Sequence, residues 1–287
     1  MTEINELNTK ELTTWCPGCG NHLILAALKK AVSKMNLNPS EVAVVSGIGC
    51  SSGLPHWIET YGFHSIHGRA VPVATGVKLA NHNLNVFVVS GDGDGYGIGL
   101  NHLIHAMRRN LDITFLGHDN QIYGLTLGQT SPTSEQGAKT VSTPNGSIEL
   151  PINPIALGLA SGATFIARAF AGNTEQLADL IVKGTQHEGF ALIDILQPCV
   201  TLNKVNTFEF FQKRVYDLQS EKHDTSNFSA AFLKSFEWNP RIPTGIFYQT
   251  KRDTYTEDLP QLKEKSLVKQ QQELKSVDIN SLLEKYK

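Results

Sequence analysis

All four cysteines of the chain fall into one pattern, a close pair followed by two isolated residues. The pair is Cys16 and Cys19, separated by Pro-Gly, whereas Cys50 and Cys199 each follow an apolar run. Short apolar runs of this kind predict buried strands, so the isolated thiols should arrive from strand ends beside the pair. Four thiolates in one pocket bind zinc or an iron–sulfur cluster, and the cysteines alone leave both open.

A second group of polar residues follows two other apolar runs. The run 85–89 leads into Gly-Asp-Gly-Asp-Gly at residues 91–95, and the run 113–116 leads to Asn120. Glycines let backbone N–H groups approach an anion, and parallel strands would bring Asp92 and Asn120 to one sheet edge. A carboxylate and an amide oxygen suit Mg²⁺ together with phosphate oxygens. The pattern therefore predicts a diphosphate bound through magnesium. The alternative is that the glycines form an ordinary strand-to-helix turn. A dinucleotide-binding motif fits this sequence poorly.

Short apolar runs alternate with amphipathic segments along most of the chain. This alternation predicts a doubly wound α/β fold, in which a mostly parallel sheet has helices on both faces. The predicted helices cover residues 23–32, 71–80, 100–107, 154–161 and 175–183, and the predicted strands cover residues 42–45, 85–89, 113–116, 164–167 and 191–196.

The character of the sequence changes near residue 206. We interpret residues 1–205 as the ligand-binding domain and residues 206–287 as a C-terminal extension that packs on this core or on a partner. Residues 263–287 are rich in Lys, Gln and Glu with helical spacing, which favours an interaction tail over a merely solvated one.

Composition excludes several classes of partner. Among 287 residues, 25 Lys+Arg stand against 27 Asp+Glu, and this net charge of -2 does not indicate binding to nucleic acid or to an anionic membrane. No apolar stretch approaches the length of a membrane span, and the acidic, polar N-terminus is unlike a targeting peptide. We therefore expect a cytoplasmic protein, in which cysteines serve more often as ligands than as disulfides.

The Gly-Asp-Gly sequence followed at a distance by Asn120 resembles the thiamine diphosphate signature. Over residues 12–206 the chain resembles the β subunits of 2-oxoacid:ferredoxin oxidoreductases. The matching motifs are WCPGCG (15–20), GIGCS (47–51), HSIHGRA (64–70), GDGDG (91–95), DNQIYGLT (119–126) and QPC (197–199), with later signatures at residues 210–216 and 243–248.

The resemblance implies three sets of site residues. The ligands of a [4Fe–4S] cluster would be Cys16, Cys19, Cys50 and Cys199. The ligands of Mg²⁺ would be Asp92, Asn120 and the carbonyl of Ile122. The residues in contact with thiamine diphosphate would be Ile48, Gly49, Cys50, Ser51, His67, Gly91, Gly93, Asp94, Gly124 and Leu125. Cys50 would thus touch both centres, and Leu125 would force the cofactor into its V shape.

The implied activity is the CoA-dependent oxidative decarboxylation of a 2-oxoacid to an acyl-CoA and CO₂, with electrons passing through the cluster to ferredoxin. The reaction is reversible in principle. We favour 2-oxoglutarate as the substrate and pyruvate next, although Leu127 stands in the substrate-facing loop where many relatives have lysine. A larger α subunit, in an αβ or α₂β₂ assembly, is expected to supply the activating glutamate, so no catalytic residue beyond the cofactor is assigned in this chain.

Several alternatives remain beside this interpretation. Cys16 and Cys19 also resemble a thioredoxin-type pair, but that fold needs a strand directly before Trp15, where the sequence is short and polar. A structural zinc site, in a non-catalytic electron-transfer or binding subunit, is the stronger rival. Non-oxidative thiamine enzymes are longer and need no such cysteines. His67 could be a structural histidine; the histidines left as structural or unassigned are His56, His64, His102 and His105.

Overall fold

The computed structural model describes residues 2–270 and 279–286 of the chain. The strands, numbered in chain order, are β1 (Val42–Ser46), β2 (Tyr61–His64), β3 (Asn85–Gly91), β4 (Thr114–Asp119), β5 (Phe165–Phe170), β6 (Ala191–Leu196), β7 (Val215–Asp217) and β8 (Ile242–Gln249). The α-helices are α1 (Gly20–Lys34), α2 (Ala70–Ala80), α3 (Leu100–Arg108), α4 (Pro154–Ala160), α5 (Thr174–Gln186), α6 (Phe208–Gln212), α7 (Phe228–Ser235) and α8 (Ile279–Leu283).

The strands form one eight-stranded sheet in the order β2-β1-β3-β4-β6-β5-β8-β7. Every neighbouring pair is parallel except β5 and β8, which are antiparallel. The central strands are buried along their whole length because helices cover both faces, which is why their sequences are almost continuously apolar.

Alternate residues of the central strands enter two separate hydrophobic cores. Val44 and Phe87 belong to the core beneath α1 and α5, whereas Val45 and Val88 belong to the core beneath α2, α3 and α4. The prediction of a doubly wound, mostly parallel α/β fold is therefore confirmed. Each predicted helix or strand before residue 206 is present, with ends that differ by a few residues.

The C-terminal segment continues the same sheet. Strand β8 pairs with β5, and β7 pairs with β8, so residues after 206 add two strands to one edge. Of the predicted tail at residues 263–287, residues 271–278 and 287 lie outside the described residues, and α8 is a short helix. The domain division at residue 205 stays a prediction. Within residues 2–270 and 279–286, none of the helices combines the length and the apolar character needed to cross a bilayer.

Candidate functional site

Four chain segments meet at the carboxyl edge of the parallel sheet. The pairs Ser46 with Val89, Gly91 with His118, and Asp119 with Leu196 align the ends of β1, β3, β4 and β6. The loops that leave these strands therefore lie side by side, at the edge where open α/β sheets bind ligands. These loops carry residues 47–51, 91–95, 120–125 and 197–199.

One cavity at this edge has a volume of about 120 Å³. It brings together all the residues that the sequence assigned to thiamine diphosphate and to magnesium. They are Ile48, Gly49, Cys50, Ser51, His67, Gly91, Asp92, Gly93, Asp94, Asn120, Ile122, Gly124 and Leu125. We call this space the glycine cavity. His118, Tyr123, Thr126 and Gln197 complete its lining.

A neighbouring cavity of about 450 Å³ is lined by all four cysteines, and we call it the cysteine cavity. The two cavities share part of their walls. The shared residues are Gly49, Cys50, Asn120, Gly124, Leu125 and Gln197. Cys50 therefore lines both spaces, and its contact with two bound centres stays a prediction.

The Cys16–Cys19 pair forms a tight turn at the start of α1. The Cys19 N–H donates to the Cys16 carbonyl at 3.0 Å, and Gly18 has a φ of +79°, which favours glycine. Burial, reinforced by the charges of the other thiolates, raises the pKa of Cys19 to about 11. Cys16, in contrast, is exposed at the mouth of the cavity.

Trp15 connects this turn to the loop after β1. Its indole N–H donates to the Cys50 carbonyl at 2.6 Å, and its ring lies 4.4 Å from the ring of Trp57. On the other side of Cys50, a methyl group added to Gly124 would lie 3.3 Å from the Cys50 Sγ. Cys50 is thus fixed between an indole and a glycine backbone.

Asp92 is buried and accepts hydrogen bonds from two hydroxyl groups. Ser131 donates at 2.5 Å and Thr133 at 2.6 Å. Burial, together with the charge of Asp194, raises the pKa of Asp92 to about 6, against the lowering effect of these donors. A bound divalent cation would favour the ionised form. In the loop after β4, the amide oxygen of Asn120 accepts the N–H of Ile122 at 3.0 Å.

Asp94 anchors three chain segments to one another. One carboxylate oxygen accepts the backbone N–H of Ile48 at 3.1 Å, the backbone N–H of Gly68 at 2.6 Å and the His67 Nδ1 at 2.6 Å. Its other oxygen accepts the Ser90 hydroxyl. Donors from the protein itself therefore occupy both oxygens of the Asp94 carboxylate.

The histidines discussed in the sequence analysis differ in their distance from the two cavities. His56 and His64 contact each other at 3.2 Å between Nε2 and Nδ1, and His64 lines the cysteine cavity. His102 and His105 lie on α3 and line neither cavity. His67, half-buried and bonded to Asp94, lines the glycine cavity.

Unpartnered polar atoms point to a polar ligand in the glycine cavity. Among the described residues, three buried atoms that line it have no hydrogen-bond partner: Ser51 Oγ, His118 Nε2 and Gln197 Oε1. Buried polar atoms are normally paired, so these are available to a bound group. Gly49 also leaves open space, since a methyl group there would meet no atom within 4 Å. The residues present therefore fit a polar diphosphate cofactor.

The donor set of the cysteine cavity consists of four thiols, which all line the same space. In the described part of the chain, no three His, Cys, Asp or Glu side chains converge closely enough to hold a metal ion. Thiolates are ligands of both zinc and iron–sulfur clusters, so the chemistry of the donors fits either centre.

Sequence reasoning missed several residues of the site. Trp15, Tyr123 and Gln197 lie inside the recognised motifs, so their position was a signal that was not used. Ser131 and Thr133, which hold Asp92, lie in an irregular loop with no pattern that reveals them.

Two family models match the chain. The one described as thiamine pyrophosphate enzyme, C-terminal TPP binding domain, matches residues 47–195. The one that describes the C-terminal region of the pyruvate ferredoxin oxidoreductase beta chain matches residues 199–264.

Curated relatives cover most of the chain. The chain is 47% identical over 264 residues to 2-oxoacid:ferredoxin oxidoreductase 1, subunit beta, of Aeropyrum pernix, covering 88% of this chain and 83% of the relative. It is 37% identical over 252 residues to 2-oxoglutarate synthase subunit KorB of Methanocaldococcus jannaschii, covering 88% and 93%.

A solved structure has the same fold over the whole chain. It is a 2-oxoglutarate:ferredoxin oxidoreductase from Magnetococcus marinus with 2-oxoglutarate, coenzyme A and succinyl-CoA bound. The match has a TM-score of 0.92 and 38% identity, and it covers 100% of this chain and 96% of that one.

Proposed function

Because this chain belongs to the family of 2-oxoacid:ferredoxin oxidoreductase β subunits, we propose that it holds thiamine diphosphate, Mg²⁺ and a [4Fe–4S] cluster in two adjoining cavities. With an α subunit, it would convert a 2-oxoacid and coenzyme A to an acyl-CoA and CO₂, and ferredoxin would receive the two electrons. When bound, thiamine diphosphate supplies the electron sink for decarboxylation and the cluster supplies a one-electron carrier.

The shared wall between the cavities is the single observation that carries this proposal. Cys50 lines both spaces and is fixed from one side by Trp15 and from the other by Gly124. A group bound in the glycine cavity and a cluster bound by the four thiols would therefore be neighbours. Electron transfer between two centres requires such proximity.

The glycine cavity has separate residues for the metal and for the diphosphate. Asp92, Asn120 and the Ile122 carbonyl would hold Mg²⁺, with the hydroxyls of Ser131 and Thr133 keeping the Asp92 carboxylate in place. These three ligands offer oxygen atoms, which Mg²⁺ prefers. Backbone N–H groups of the glycine-rich turn would bind the diphosphate.

The residues that shape the reacting end of the cavity are apolar. Leu125 is 59% exposed and lines both cavities, and Leu127 is 73% exposed and lines the cysteine cavity. We assign to Leu125 the support of the bent cofactor. Leu127 then lies where the substrate would enter.

For the substrate we favour 2-oxoglutarate, with pyruvate next. Relatives named for 2-oxoglutarate support this choice. Among the described residues, neither cavity has Lys or Arg in its lining. The cation that pairs with the second carboxylate of 2-oxoglutarate should therefore belong to the α subunit. We also expect the α subunit to provide the activating glutamate. The two chains would act together in the cytoplasm.

Anaerobic co-purification with the α subunit tests the proposal. We expect about four iron atoms per β chain, together with labile sulfide and thiamine diphosphate, and dye reduction that depends on a 2-oxoacid and on CoA. Stoichiometric zinc without iron would overturn the cluster. Equal rates with pyruvate, branched oxoacids and 2-oxoglutarate would overturn the substrate preference alone.

A further inference from the structure

Gln197 lies in the wall between the two cavities and lines both of them. Its side chain is almost completely inaccessible, with 1% exposure. Its amide Nε2 lies 3.5 Å from the Cys19 Sγ, a hydrogen-bond distance for sulfur, and 3.3 Å from the Pro198 carbonyl. The side chain is therefore in contact with a thiol of the cysteine cavity while it also faces the glycine cavity.

The position of this side chain is tightly fixed. The Gln197 backbone N–H donates to the Asp119 carbonyl at 2.9 Å, which continues the pairing of β6 with β4. The first turn of α1 packs directly on the side chain, since a methyl group on Gly20 would lie 2.8 Å from the Gln197 Cγ. The amide has little freedom to move away from Cys19.

The orientation of the amide follows from the chemistry of the sulfur. A sulfur that ligates iron has no proton to donate, so the amide must present its N–H to Cys19. The opposite orientation would bring the carbonyl oxygen against an electron-rich sulfur. In the observed orientation, Gln197 Oε1 is buried and has no partner within residues 2–270 and 279–286, so it is available to a donor in the glycine cavity.

We propose, on the basis of the cluster proposed above, that Gln197 tunes the reduction potential of that cluster by donating its amide N–H to the Cys19 sulfur. Reduction adds negative charge that spreads over the sulfur ligands, and an N–H donor stabilises this charge. The bond lies in a buried, weakly polar environment, which strengthens it. Gln197 is a positioning residue in this scheme and ligates nothing itself.

Two substitutions of Gln197 separate the effect of its N–H donor from the effect of its side-chain shape. Gln197→Glu keeps the length and an acceptor but removes the donor and adds negative charge, whereas Gln197→Met removes both polar groups. Gln121→Met is the matched control, because Gln121 is a buried glutamine after the neighbouring strand that lines neither cavity. All three variants are purified anaerobically with the α subunit, and the cluster is titrated with EPR detection.

We expect full iron and sulfide in all three variants and a lower midpoint potential in both Gln197 variants, with the larger shift in Gln197→Glu. A tenfold fall in the ratio of reduced to oxidised cluster at fixed potential, or about 59 mV for one electron, is the scale of the effect. Gln121→Met should match the wild type.

Two results would overturn the tuning role. A midpoint potential that is unchanged in both Gln197 variants shows that the N–H has no effect on the cluster. Loss of iron in both Gln197 variants, while the control retains it, makes Gln197 an architectural residue. A wild-type complex without iron contradicts the proposed function instead, so the two failures are distinguishable.

Discussion

The carboxylate of Asp94 should control both the stability of the chain and its affinity for thiamine diphosphate. Asp94 is 2% exposed and accepts hydrogen bonds from Ile48, His67, Gly68 and Ser90. These donors come from the loop after β1, the turn before α2 and the end of β3. The perturbation we consider is Asp94→Asn, which preserves the volume of the side chain but removes its charge.

The loss in the free energy of unfolding follows from the number of hydrogen bonds that Asp94→Asn weakens. An asparagine oxygen can replace the carboxylate oxygen that accepts three bonds, and the Ser90 hydroxyl can rotate to accept from the new amide. A hydrogen bond to a charged acceptor contributes about 1 kcal/mol more than one to a neutral acceptor. Three such bonds give a loss of about 3 kcal/mol, or a fall in Tm of roughly 6 to 12 °C.

Thermal unfolding of the purified complex, at one protein concentration and without added thiamine, measures this loss. The control is Asp179→Asn, which removes an exposed carboxylate paired with Lys34 and should cost at most about 1 kcal/mol. The affinity for thiamine diphosphate, measured by calorimetric titration with Mg²⁺, should fall in Asp94→Asn alone. If Asp94→Asn matched the control in both Tm and affinity, the assignment of Asp94 as the anchor of the cavity would be wrong.

Three further predictions concern the core and the cysteines. Tyr96→Phe removes a hydroxyl that donates at 3.1 Å to a buried carboxylate of β6 and should cost about 2 kcal/mol; a Tm equal to that of the wild type contradicts it. Gly124→Ala places a methyl group 3.3 Å from the Cys50 Sγ. We therefore expect less bound iron with an unchanged circular dichroism spectrum. Full iron content would show that this contact does not affect iron binding. In the metal-free complex, iodoacetamide at about pH 8 should modify exposed Cys16 first and Cys19 last. Burial raises the Cys19 pKa to about 11 and so lowers the fraction of reactive thiolate. Mass spectrometry measures the order of modification, and faster labelling of Cys19 than of Cys16 would contradict this prediction.

The central elements were predictable because each obeys a local rule. The run at residues 42–45 is apolar throughout because helices cover both sides of β1. Strand β2 was missed because its residues are exposed and lack the apolar pattern of a buried strand. The antiparallel insertion of β8 beside β5 was also missed, since pairing between distant segments leaves no periodic signal in either one.

The candidate site divides in the same way. Asp92 and Asn120 could be predicted to lie near each other because they follow apolar runs within a few residues, at strand ends that must meet. Ser131 and Thr133 could not be predicted there, because their loop reaches Asp92 only through tertiary packing. The role of Asp94 as an internal anchor could not be predicted either, because a sequence does not show which groups donate hydrogen bonds to a carboxylate.

The four thiols come from points in the chain that are far apart, the segment before α1, the end of β1 and the end of β6. A metal centre held by all of them would act as a staple across more than half of the polypeptide, which restricts the unfolded chain as a long crosslink does. Because Cys50 also forms a wall of the glycine cavity, the loss of such a centre would also loosen a group bound in that cavity. The two groups would then be lost together, and reassembly would begin with the four thiols.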